Sequence, residues 1–414
     1  MKKTPILIIL FVVLILAVCF DIFLRLQKDG KIIIGKSTTI ENTEIVDDII
    51  DAENPSDTAE KLEDTGDVVD ENNETDETES VLGLHISTSI DDDMVDNSLW
   101  CGTFQLVWND LIDKIVKQDV VFDPQLQIVE NLNKKTFSNE YISPDSYFSK
   151  FGLLTLDLKE EIENWIKEKF GETSDILDLL DWSDVPQSDE DYDLIGDKRY
   201  WFYAMLKKIF NFETVFDELD VWKFDDKYDN VEYFWINWDS DNQLYKQVYV
   251  YYYNSDDDFA VALQTKEWEE IILARWADWK SFLDIYKDIL VKKNKYEWNY
   301  KFTEFDYLKV PNLKTKTLTE FKNLENHGFS TASWEYYFIG KALQAIEFEL
   351  NKSGWYIKSE AWVDIMKSAS AIMPQEIEHR YFYFDKPFVM FWKETDKNLP
   401  YFAAQISDIT LFQE

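Results

Sequence analysis

Few residues of this chain are of types that do chemistry on their own. Its three histidines, His85, His327 and His379, stand far apart, without the short spacing that brings two ligands to one metal ion. Each reads as a surface or tether residue. Of its two cysteines, Cys19 falls in an apolar N-terminal run and Cys101 has no nearby histidine to take its proton. A buried structural thiol and no internal disulfide are expected. The sequence contains no glycine-rich phosphate loop and no Gly-x-Ser-x-Gly elbow. With 81 acidic residues, carboxylate pairs at glycosidase spacing arise by chance. Against 42 Lys and Arg they give a formal net charge of -39, which excludes a phosphate-binding surface and so nucleic acid as a partner. No enzyme, cofactor or metal site is expected. What the sequence offers instead is a segment to be acted on. Residues 354–380 fit neither a helix nor a conventional hairpin loop, whose usual length is about 2 to 5 residues, and long ordered loops are usually functional.

Strands must hold that segment at both ends. Before it, 341–351 (KALQAIEFELN) keeps apolar residues at nearly every second position, the pattern of a strand with one buried face. After it, 382–392 (FYFDKPFVMFW) ends in a continuous apolar run, as expected for a strand covered on both faces. Residues 400–406 (PYFAAQI) supply a partner for that strand.

These flanks resemble the serpins. ELNKSG followed by SEA is similar to the family's strand and hinge before its reactive loop. FYFDKPF matches the signature after that loop at Phe382, Asp385, Lys386, Pro387 and Phe388, and PYFAAQISD resembles the family's last two strands. The resemblance implies an α+β fold with a large central mixed sheet, a second sheet and surrounding helices. It also implies a monomeric suicide inhibitor that presents an exposed loop to a serine or cysteine protease. Carried onto this sequence, the hinge is Gly354, Ser359, Glu360 and Ala361. The family's spacing places the scissile bond near Ile372 and Met373, with Met366 and Lys367 as alternatives. In such an inhibitor the cleaved loop enters the central sheet as a new strand, and its inward set here, Ser359, Ala361, Val363 and Ile365, is small or apolar as insertion requires. Trp362 is bulky and residues 355–358 lengthen the usual hinge. These departures favour the alternative, a non-inhibitory serpin-fold binding or interaction protein.

The rest of the chain reads as support. Residues 1–36 hold Lys2 and Lys3 before an apolar run over 5–24, expected to be an uncleaved single-pass membrane anchor with the folded domain extracytoplasmic. Residues 37–96 are crowded with acids and form a self-repelling, solvated tether, and 97–414 form the domain. Asp91, Asp92 and Asp93 lack the Gly and closing Glu of a calcium loop. Phe104, Val107, Trp108, Leu111 and Ile115 stripe one helix, placed like the family's first, while its Ala-rich buried helix is not recognisable in 123–147. Asp157 with Glu160 offers a capping box for a second helix, striped by Ile162, Trp165, Ile166 and Phe170 and ended by Gly171, that resembles the serpin helix across the central sheet. Residues 200–216 resemble the long central strand, 248–265 read as a hairpin, Trp279, Phe282, Leu283, Tyr286 and Leu290 stripe a further helix, and 307–329 resemble a strand-and-helix pair.

The composition carries one anomaly. The chain has 414 residues with only 11 Gly but 16 Trp, where Gly alone is ordinarily about 7%. An AT-rich gene explains abundant Phe, Tyr, Ile, Lys and Asn, but not Trp, whose standard codon is UGG. Some Trp are therefore expected to be UGA codons that the source reads as Gly, with Trp235, Trp268, Trp355 and Trp362, each near a turn or strand end, as candidates.

Overall fold

Two strands with the same alternation make the centre of the molecule. In the computed structural model, which describes residues 84–171, 177–178, 180–192, 197–275, 280–297, 300–353 and 379–413, these are Arg199–Ile209 (β4) and Tyr336–Leu350 (β13). Because side chains alternate across a strand, Phe202, Ala204 and Leu206 of β4 and Ala342, Ile346 and Phe348 of β13 enter the main core. Trp201, Tyr203, Met205, Leu343 and Ala345 point the other way, into a smaller cluster with Leu158, Ile162 and Ile166. The sheet is thus covered on both faces, where the sequence pattern of 341–351 announced only one. Its second cover is a helix that the strand's own sequence does not reveal.

That helix, Leu156–Phe170, starts at Thr155, whose side chain accepts from Leu158 N, and ends at Gly171 with φ of 72°. The cap is therefore Thr155, two residues before the expected Asp157, while the stop at Gly171 is as expected. Trp165 lies at the margin of the stripe, stacked on Phe148 with ring centroids 4.9 Å apart. The helix Thr103–Leu111 covers the opposite face. Its Trp108 meets Phe202, and Phe104, Gln105, Leu106 and Val107 are all buried. Within 123–147 lies one short helix, Gln127–Asn133, which buries Ile128, Val129 and Leu132.

The central sheet runs Leu313–Glu320 (β11), β13, β4, Tyr147–Leu153 (β3), with Gly328–Ser330 (β12) pairing β13. A seven-stranded sheet joins His85–Ser87 (β1), Ser98–Cys101 (β2), Phe402–Ile406 (β16), Phe388–Glu394 (β15), Glu269–Arg275 (β9), Asp258–Gln264 (β8) and Val248–Ser255 (β7) in that spatial order. A four-stranded sheet orders Arg380–Tyr383 (β14), Asp306–Pro311 (β10), Tyr228–Ile236 (β6) and Asp217–Phe224 (β5). The expected terminal hairpin is present, Phe388 opposite Ile406, and so is the hairpin over 248–265. The helix Phe282–Lys295 carries the Phe282 and Tyr286 stripe, with Trp279 outside the described residues.

Three expectations change. Residues 382–392 do not form one strand. Phe384 N donates to Lys309 O and Lys309 pairs with Asp385, so the chain turns between β14 and β15 and the two halves enter different sheets. The strand-and-helix pair over 307–329 is instead β10, β11, a short 3-10 turn at Lys322–Leu324 and the start of β12, because Asn326 with φ of 62° reverses the chain before a helix can grow. The fold also begins before Asn97: Leu84, Ile86 and Ile90 are buried and β1 pairs β2 in parallel. Asp92, inside the expected tether, is a half-buried turn residue that accepts from Ser89 N at 2.8 Å and Asn131 Nδ2 at 2.6 Å. All described residues fall within the unit Asn73–Glu414.

Candidate functional site

The pairing of β13 with β4 is parallel, from Phe338 opposite Arg199 to Glu349 opposite Ile209. No chain segment between them in sequence forms a strand in the gap, and β13 leads straight to residue 354. Gln344, 1% exposed, is the one polar residue on the core-facing side of β13 between Ala342 and Leu350. Its Nε2 reaches behind the sheet to donate to Cys101 O at 3.0 Å and Thr103 Oγ1 at 3.1 Å. Cys101 is free and buried, and burial pushes its thiol up to about 11. It stays protonated at neutral pH and serves structure, as its sequence context indicated.

Ion pairs cross the same seam. Lys207 Nζ of β4 lies 3.0 Å from Glu347 of β13, which lies 3.8 Å from Lys316 of β11 on its other side. Nearer the other end of β13, Lys341 Nζ is 3.4 Å from Glu320. Burial, with Glu320 alongside, lifts the Glu325 carboxyl to about 7 from its ordinary 4.5. The folded protein then keeps a proton that the unfolded chain releases above pH 4.5, so stability from this group is greatest below that pH and falls as pH rises toward 7. A lower melting temperature at pH 8 than at pH 5 is expected, and Glu325→Gln should flatten the difference by a few degrees relative to the unaltered chain, on the order of 1 kcal/mol or more of linkage. A dependence equally steep in the variant would rule this group out as its source.

Both ends of residues 354–378 are pinned. At the exit, Phe216 N donates to Lys352 O at 2.9 Å, and Lys352 pairs with Glu218 of β5. At the return, Arg380 Nε and Nη2 donate to Asp306 at 2.7 Å each, and Nη1 donates to Tyr296 Oη at 3.1 Å. His379 Nδ1 lies 3.0 Å from Phe305 O, and His327 stacks on Phe122, ring centroids 4.9 Å apart. Among the described residues no group of three or more His, Cys, Asp or Glu is arranged to hold a metal ion. Gly354, Ser359, Glu360, Ala361, Met366, Lys367, Ile372 and Met373 all lie outside the described residues. The structure therefore places the residues that flank that segment and not the hinge or scissile bond expected within it. Sequence reasoning missed those anchors. Gln344 left a signal, one amide in an apolar alternation, whereas the Arg380 and Asp306 partnership spans 74 residues and leaves none.

No family model and no curated protein matches the chain. Solved structures that it resembles include Serpin48 of the insect Tenebrio molitor, with TM-score 0.44, 11% identity, and 76% of this chain and 92% of that one covered. Tengpin, a thermophilic serpin in its native state, gives 0.46, 11%, 80% and 100%. Uncleaved ovalbumin gives 0.42, 13%, 75% and 92%.

Proposed function

We infer that this chain is a serpin-type protease inhibitor, with residues 359–380 as bait for a serine or cysteine protease. The observation that supports the reading is the parallel pairing of β13 with β4. A segment that leaves β13 and runs back between these strands is antiparallel to both. It exchanges one parallel ladder, whose slanted bonds are slightly weaker per residue, for two antiparallel ones. Gain of a whole strand is the driving force that such an inhibitor stores. The inward set Ser359, Ala361, Val363 and Ile365 suits the insertion. Opening must part Lys207 from Glu347 by about one strand spacing, roughly 4.8 Å.

Incubation of the full chain with a panel of serine and cysteine proteases should give a covalent complex stable in denaturant, and the cleaved chain should melt higher than the intact one. Free turnover by every protease that cuts the loop, with no gain in melting temperature, would replace inhibition by the non-inhibitory serpin-fold reading.

Residues 5–24 lie outside the described residues, among which no helix is long and apolar enough to cross a membrane. The tether is part of the proposal: an anchor of that length and apolarity holds the inhibitor extracytoplasmically at the cell membrane. The mature chain should then sediment with membranes and resist a high-salt wash. A native N-terminus beyond Cys19 would sink the anchor and leave the inhibitor reading untouched.

A further inference from the structure

Two hairpins of this protein close through the same five-residue pattern, Thr-x-x-Trp-Glu. Thr265-Lys-Glu-Trp-Glu269 joins β8 to β9, and Thr331-Ala-Ser-Trp-Glu335 joins β12 to β13. Their backbones match bond for bond. Thr265 N donates to Glu269 O and Trp268 N to Thr265 O, at 2.9 and 3.3 Å; Thr331 N donates to Glu335 O and Trp334 N to Thr331 O, at 2.9 and 3.0 Å. In each, the first threonine's Oγ1 also accepts from the closing glutamate N at 3.1 Å. This is the three-residue hairpin connection whose last residue must be left-handed, the slot that glycine fills. Trp268 has φ of 62° and Trp334 of 68°.

A left-handed tryptophan is unusual. The other non-glycine residues with positive φ among the described residues are three Asn, two Asp and two Lys, and a bulky side chain there is a genuine outlier. The indoles return nothing for the strain, since Trp268 is 76% exposed and Trp334 92%. The backbone does the bonding: Trp268 O accepts from Thr395 N at 2.9 Å and Thr395 Oγ1 at 2.7 Å. By contrast Trp100, Trp108, Trp201 and Trp392 are at most 1% exposed and fill the core. Trp235, within β6 opposite Lys309 and Asp217, shows no positive φ and no demand for glycine.

The geometry points to positions 268 and 334 being glycine in the protein as its own cell makes it. UGA differs by one base from UGG, a tryptophan codon, and by one base from GGA, a glycine codon. A cell that reads UGA as glycine has its protein written with tryptophan wherever UGA is taken for that residue, which shifts the balance of 11 Gly against 16 Trp in the direction seen. The tryptophans that pack remain tryptophan, and those at glycine positions do not.

The gene and the native protein test this together. Codons 268 and 334 should be UGA and codons 100, 108, 201 and 392 UGG. Peptide mass spectrometry of the full chain from the source cell should read Gly at the first two positions and Trp at the other four. In chain made with tryptophan throughout, W268G and W334G should each raise the melting temperature by a few degrees, as relief of roughly one left-handed strain would, whereas W100G should lower it. A UGG codon or a Trp-containing native peptide at 268 or 334, or a fall in melting temperature for either variant, overturns the proposal.

Discussion

Trp392→Ala should lower the unfolding free energy by about 3 to 5 kcal/mol, the range for deleting a large aromatic from a packed core. Trp392 is fully buried and joins two sheets: its ring lies 3.8 Å from Phe402 of β16 in a stack, and 4.8 Å from Phe348 of β13 and 4.7 Å from Phe210 at steep angles. Phe402 and Phe348 belong to separate strands held by their own ladders, so they cannot close on the void. A fall in melting temperature on the order of 10 °C follows. Trp392→Phe should do less damage, because it keeps the stack and removes an indole N–H that has no partner in its buried place. Urea unfolding of the three chains checks the order, and equal losses for Ala and Phe would refute the packing account.

Asp306→Ala should be comparably severe, about 3 to 5 kcal/mol, for an electrostatic reason. Asp306 is 2% exposed and takes both bonds of the Arg380 fork, and it also accepts from Thr303 N at 2.7 Å and Thr303 Oγ1 at 2.9 Å. Removal leaves a guanidinium largely buried without its anion, and breaking one side of a buried pair is far worse than replacing both. Asp306→Leu combined with Arg380→Met should therefore recover much of the loss. Because Arg380 opens β14, the first strand after residues 354–378, the single variant should also speed hydrogen exchange at Tyr381 and Phe382. Unchanged exchange and a loss below about 1 kcal/mol, as for an exposed pair, would show that the anchor is not needed.

Local pattern was enough for the elements that depend on neighbours in sequence. The apolar run in 388–392 and the largely apolar text of 402–406 read as two buried strands a short polar turn apart, and such neighbours pair as a hairpin. Gly171 ends its helix because its φ suits few other residues. Cys101 was legible as a structural thiol because nothing near it could activate it. Even the surplus of tryptophan over glycine was visible in composition, though only the backbone at Trp268 and Trp334 told which tryptophans are out of place. Pairings between distant segments were decided by tertiary structure alone. A strand's residues state which face is apolar and not which strand lies beside it, so the parallel seam of β13 with β4, the meeting of Lys207 with Glu347 140 residues later, and the Arg380 fork on Asp306 became visible only on folding. The same reason explains the missed start at β1: three residues carry too little periodicity to read, and their place is set by the strand they pair with.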